Sequence, residues 1–343
     1  MTTPPGGAAA RADGSTHPSQ GLEPLPDFLE RQQLQVLDVV PAAAPAGRRL
    51  LVGSATSERR VLSIAVAEVG PPSAALDREE AVLEGLRTRV DAELARTIPR
   101  VLQRVQAGPS SIGLAVTTPQ EREATVVPEP RRPTHGRLRK DAPMVLDAVG
   151  TWLGELWEQT RQGEPAPAAV GAAGARWLVD LYPPISRTAV GLDDLIRAQR
   201  YLGSQLVPRT AVHGCLCPRH VQISHGRVVA VEDWGLGSLG SDPLIDLGGF
   251  AVRYAGNRLE DALGGRSAFG KAVRRFVTTG LDRAGLPSRM WRELLMLAQL
   301  DRAHRAATRG DADPSLLISM LVRVLPDQRH GHEPGHGEET RTP

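Results

Sequence analysis

The chain has 343 residues, 41% of them hydrophobic, and a formal net charge of +2. That length holds two domains or one bilobal domain with a sizeable core. The scattered arginines give no support to nucleic-acid binding, and no run reaches the ~18 apolar residues of a membrane span. Basic residues number 41, yet lysine occurs only at Lys140 and Lys271. The two cysteines, Cys215 and Cys217, stand one residue apart, where a disulfide would be strained. No disulfide framework is expected, and a reducing cytoplasm is the expected location.

The N-terminal stretch MTTPPGGAAARADGSTHPSQG lacks an apolar signal core and reads as a disordered tail over 1–22. LPDFLERQQLQVLDVV predicts a short helix and an apolar segment. RRLLVGSAT (48–56) and RRVLSIAVAEVG (59–70) predict a β-hairpin. Leu76, Val82, Leu83, Leu86, Val90 and Leu94 follow helical spacing through LDREEAVLEGLRTRVDAELAR. IPRVLQRVQAG and SSIGLAVTT predict two more strands, completing a small mixed lobe over 23–118. Residues 119–143, rich in Pro and charge, read as a linker.

A helical lobe is expected over 144–325, with a polar tail over 326–343. Its helices begin with MVLDAVGTWLGELWEQT and GLDDLIRAQRYLGSQL, the latter aligning Leu195, Ala198, Leu202 and Leu206 on one face. Between them and three later helical segments lies HGCLCPRHVQISHGRVVAVEDWG, His213 to Gly235. It reads as a His-Gly pair, a loop, a short apolar strand and an Asp-Trp-Gly.

Loop, hairpin, Asp233-Trp234 and the following Asp242-Pro243 and Asp246-Leu247 resemble, in order and spacing, the aminoglycoside phosphotransferase-like branch of the protein-kinase-like fold. The resemblance covers about residues 45–325 and implies an α+β bilobal fold: a small mixed β-sheet N-lobe and a larger, mostly helical C-lobe. It also implies ATP and Mg²⁺ as cofactors. Phosphoryl transfer in such a site rests on positioning and charge neutralisation. A loop carboxylate orients the substrate hydroxyl. A later amide and the Asp-Trp aspartate hold Mg²⁺. A strand lysine, paired with a helix glutamate, contacts the phosphates.

Several of those groups are replaced. Cys215 stands for the loop aspartate, and a thiol, with an ordinary pKa of about 8.5, is a poor hydroxyl-orienting base. Losing such a base typically costs roughly 10²- to 10⁴-fold. His220 stands for the asparagine, although Mg²⁺ favours oxygen. Ser63 stands for the lysine, and no lysine precedes Lys140 to replace it. Arg59 and Arg60 are the candidate substitutes, but a guanidinium is not an ammonium. Asp233 is retained as the metal-side carboxylate, and Glu79 as the helix glutamate without its partner. Asp246 is the residue that braces the loop backbone in the wider fold. Glu232 replaces an apolar residue and calls for a mate, an arginine or a loop histidine.

The resemblance makes His213 architectural. His213, Cys215, Cys217 and His220 also form a compact N/S set suited to zinc, but their spacing is tighter than ordinary zinc sites use. Cys215 as a nucleophile would need an adjacent base. Gly53 with Ser54 could cover a nucleotide, though a plain hairpin turn accounts for them. His330, His332 and His336, like Arg131 and Arg132, read as solvated.

The expectation is a pseudokinase that binds a protein or peptide partner, with no nucleic acid and no membrane. The alternative is an active ATP-dependent phosphotransferase with a rearranged site. Its substrate would be a small-molecule hydroxyl, or Ser/Thr of a precursor peptide as in lanthipeptide-type natural-product biosynthesis.

Overall fold

The computed structural model describes residues 21–41, 47–54, 60–70, 73–117, 124–127, 137–186, 191–309 and 313–322. Arg59, Arg131, Arg132, the three tail histidines and nearly all of both expected tails lie outside them. The N-lobe contains β1 (Glu23–Pro24), α1 (Leu25–Arg31), β2 (Leu34–Pro41), β3 (Arg48–Ser54) and β4 (Arg60–Glu68). It continues with α2 (Ala74–Arg87), α3 (Ala92–Ala95), β5 (Val101–Gly108) and β6 (Ser111–Thr117). Its six strands run in the order β1-β5-β6-β4-β3-β2. The predicted hairpin is present: β3 and β4 pair antiparallel, with Leu51 opposite Ser63 and Arg49 opposite Ala65. Antiparallel strands alternate their side chains between two faces, so Arg49, Leu51, Ser63 and Ala65 share one face. That face looks toward α2 and the C-lobe.

The single helix expected through Val90 and Leu94 is instead broken. Helix α2 stops at Arg87, and Asp91 starts α3 by accepting hydrogen bonds from the Glu93 and Leu94 amides. An aspartate with extended backbone is a good N-cap, and it wins here over the apolar periodicity.

The stretch read as a linker supplies a strand and a helix start on the C-lobe side. β7 (Thr125–Val126) pairs with the loop hairpin, and α4 (Arg137–Thr160) begins before Met144. The chain then runs through β8 (Gln162–Pro167), α5 (Ala169–Asp180), α6 (Tyr182–Ser186), α7 (Leu192–Gly203) and β9 (Leu206–Val212). On α7 the predicted face holds for Leu195, Ala198 and Leu202, all buried. Leu206 does not belong to it: it opens β9 and is 62% exposed.

After the loop come β10 (Val221–Ser224), β11 (Arg227–Val231), β12 (Ser238–Ser241) and α8 (Leu244–Ala255). The turn between β10 and β11 places His225 at φ 48° and Gly226 at φ 74°. Two consecutive positive φ angles make the turn that matches strand twist in a tight hairpin. α9 (Leu259–Gly264), α10 (Ala268–Arg283), α11 (Trp291–Arg309) and α12 (Pro314–Val322) complete the C-lobe. One apolar cluster joins Leu83 and Leu86 of α2 to Trp152 of α4, Trp234 and the C-lobe helices. The site thus lies over a continuous core. No helix among the described residues is long and apolar enough to cross a membrane.

Candidate functional site

β9 delivers the chain into His213-Gly214, and the loop is fixed there from beneath. Asp246, on α8 and fully buried, accepts from the amides of His213 at 2.5 Å and Gly214 at 2.9 Å. Gly214 has φ +79°, and a Cβ there would fall 2.1 Å from the Leu236 carbonyl oxygen. Only glycine fits that turn without displacing backbone. Burial raises the Asp246 pKa, opposed by His213 and by the loop amides.

The His213 imidazole is held by the fold. Its Nε2 donates to the Glu232 carbonyl at 2.7 Å, and its Nδ1 accepts from the Cys215 amide at 3.3 Å. A carbonyl can only accept, so the proton is assigned to Nε2. The ring stacks on His220 at 5.2 Å and tilts against Trp234 at 5.0 Å. Trp234 is fully buried and donates to the Val231 carbonyl at 2.8 Å.

Cys215 is 5% exposed, and its Sγ accepts a hydrogen bond from Arg253 of α8 at 3.2 Å. Burial works against the Arg253 charge, but Cys215, Cys217 and Asp301 outweigh it and raise its pKa. The thiol therefore faces a cation. Neither loop histidine is placed to serve it as a base: both His213 nitrogens are engaged, His220 Nδ1 donates to the Cys215 carbonyl at 3.1 Å, and His220 Nε2 is taken by Arg219.

With Nδ1 protonated, His220 Nε2 accepts from Arg219 Nε at 3.2 Å. Burial, reinforced by His213, Arg219 and Arg253, pushes the His220 pKa well below the ordinary imidazole value despite Asp233. The ring is neutral near pH 7, so its 3.4 Å approach to Asp233 is not an ion pair.

The cation expected on the neighbouring strand is on β3 instead. Arg49, 3% exposed, donates from Nη2 to both Glu79 oxygens at 2.7 and 2.9 Å. The same nitrogen donates to Asp233 Oδ1 at 2.9 Å, and Nη1 donates to Ser63 Oγ at 3.1 Å. Ser63 and Glu79 thus accept from the same guanidinium, one at each terminal nitrogen. Glu79 is therefore not without a partner. Burial opposes the Arg49 charge, while Glu79, Asp233 and Glu232 outweigh it and raise its pKa above the ordinary guanidinium value.

The sequence carried a signal for this. Arg48 and Arg49 are adjacent in a strand, so one of the pair had to point inward. Arg48 is exposed and Arg49 is buried.

Asp233 has φ +68°, a left-handed conformation that costs a non-glycine residue about 1–2 kcal/mol. Glu232, also buried, accepts from Gln222 Nε2 of β10 at 2.8 Å, and its charge favours that of Arg49.

A divalent metal does not fit these residues. One Asp233 oxygen receives Arg49, the other abuts His220, and both Glu79 oxygens are bound by Arg49. Among the described residues, no group of three or more His, Cys, Asp or Glu is arranged to hold a metal ion. That includes the tight set His213, Cys215, Cys217 and His220.

No protein-family model and no curated protein sequence matches the chain. Solved structures do. The apo form of a thermostable mutant of aminoglycoside phosphotransferase APH(4)-Ia superposes with a TM-score of 0.54 at 17% identity, over 87% of this chain and 97% of that one. A macrolide 2'-phosphotransferase type I gives 0.52 at 17% identity, over 88% and 98%. A GDP complex of an aminoglycoside 2'-phosphotransferase-IIIa mutant gives 0.52 at 12% identity, over 85% and 91%. Further APH(4)-Ia mutants form ternary complexes with hygromycin B and ADP or AMP-PNP. The chain therefore has the aminoglycoside phosphotransferase-like form of the protein-kinase-like fold, on a sequence far diverged from those structures.

Proposed function

We propose that this protein is a kinase-like binding protein that does not carry out ordinary phosphoryl transfer, and that it works by engaging a protein or peptide partner. The observation that carries the reading is Cys215. At the loop position of the hydroxyl-orienting carboxylate it presents a buried thiol hydrogen-bonded by Arg253 at 3.2 Å. A substrate hydroxyl there would meet no group suited to take its proton. His220 and Ser63, at the amide and lysine positions, support the same reading.

The test is a titration with ATP, with and without Mg²⁺ or Mn²⁺, following thermal stability, beside an assay for phosphate transfer. A ligand at 100 times its Kd adds about 2.7 kcal/mol, an easily read shift. The reading expects no metal-dependent shift and no transfer to small hydroxyl compounds or to Ser/Thr peptides. A metal-dependent shift that is lost in Asp233→Ala, together with transfer, would overturn it in favour of a rearranged phosphotransferase. The nucleotides bound by APH(4)-Ia make ATP the right ligand to try first.

A further inference from the structure

The misfit between this site and a metal ion has a specific cause, and that cause has a consequence for the two lobes. We infer that Arg49 is a resident cation: its guanidinium takes the place of the metal at Asp233 and clasps the N-lobe to the C-lobe without any ligand. The inference deepens the proposed function by accounting for how such a site is held together.

Arg49 stands on β3 and Glu79 on α2, both in the N-lobe, whereas Asp233 follows β11 in the C-lobe. One nitrogen, Nη2, reaches both Glu79 oxygens and Asp233 Oδ1, all within 2.9 Å. Glu79 is 1% exposed, Arg49 3% and Asp233 5%, so the three are shielded together from water. Three buried carboxylates, Glu79, Asp233 and the nearby Glu232, would repel one another without a cation. Arg49 carries a positive charge that all three favour.

A guanidinium supplies several donors in one plane and can serve carboxylates from different elements at once. It also cannot leave. A metal site empties and fills with its ligand, but a side chain fixed to β3 holds α2 and Asp233 in one arrangement permanently. A second cation at Asp233 would lie against the guanidinium and be repelled. The left-handed backbone at Asp233 fits this picture, because strain of that kind persists only where surrounding contacts hold it.

The experiment compares wild type, Arg49→Met, Arg49→Lys and the charge-neutral triple Arg49→Met/Glu79→Gln/Asp233→Asn. Two quantities are read: amide hydrogen exchange in α2, and Mn²⁺ binding by electron paramagnetic resonance. Wild type should bind no Mn²⁺ at the site and protect α2. Arg49→Met should raise α2 exchange by about 100-fold or more, the equivalent of breaking a buried ion pair. It should also gain Mn²⁺ binding that is abolished by adding Asp233→Asn. Arg49→Lys, which keeps the charge but serves fewer acceptors, should fall between.

The triple variant guards against misfolding of Arg49→Met, because it neutralises two of the three buried carboxylates and leaves Glu232 with its hydrogen bond from Gln222. It should fold, lose α2 protection and bind no Mn²⁺. Unchanged α2 exchange in the triple variant would overturn the inference, as would Asp233-dependent Mn²⁺ binding by wild type. Phosphate transfer by wild type would overturn the proposed function instead, so the two failures are distinguishable.

Discussion

Replacing Asp246 by alanine tests whether the loop is held from beneath. The side chain is 0% exposed and accepts from the amides of His213 and Gly214, and the Leu216 amide also bears on it. Each buried amide left without an acceptor costs about 1–3 kcal/mol. Three give a gross loss of several kcal/mol. The loss is offset in part because the variant no longer buries a carboxylate, the cause that raises the Asp246 pKa. A net destabilisation of about 3 kcal/mol is expected. Urea unfolding followed by tryptophan fluorescence reads it directly, since Trp234 packs against His213 of the same loop. Asp246→Asn restores part of the acceptor set and should recover part of the loss. A loss below about 1 kcal/mol for Asp246→Ala, at an unchanged denaturant slope, would refute the bracing role.

Further outcomes follow from the same geometry. His220 has a folded-state pKa well below its ordinary value, so the unfolded state binds the proton first. Its contribution is therefore present above about pH 6.5 and is lost as pH falls below that toward the depressed folded value. His220→Gln should lose less stability than wild type between about pH 6.5 and 5, and an unchanged pH profile would contradict the assignment. Gly214→Ala should cost at least about 2 kcal/mol or prevent soluble folding, since the new Cβ meets a backbone oxygen at 2.1 Å and φ is +79°. An unshifted thermal midpoint would show that the turn is less constrained than drawn. Cys215 and Cys217 are 5% and 2% exposed, so a thiol reagent should label neither quickly in the native protein and both in urea. Native labelling at the unfolded rate would mean that the loop opens readily.

Much of the fold was legible because its signals are local. The hairpin of β3 and β4 announced itself by apolar runs with polar ends, and the β10–β11 hairpin was implied by the resemblance of the loop that precedes it. The loop-hairpin-Asp-Trp order fixed the fold before any packing was known. Where two local signals conflicted, the pattern misled. The periodicity through Val90 lost to the Asp91 cap, and Leu206 continued the spacing of α7 after the backbone had turned into β9.

The residues that depart from the resemblance were also readable one by one: Cys215, His220, Ser63 and the absence of lysine before Lys140. What replaced them was not. Arg49 and Asp233 lie 184 positions apart and meet only because the sheet register turns Arg49 inward and the two lobes close on each other. Arg253 reaches Cys215 across 38 positions in the same way. Sequence determined which charges were missing. Tertiary structure decided which buried charges answered them, because a charge shielded from water must find its partner in space, wherever along the chain that partner lies.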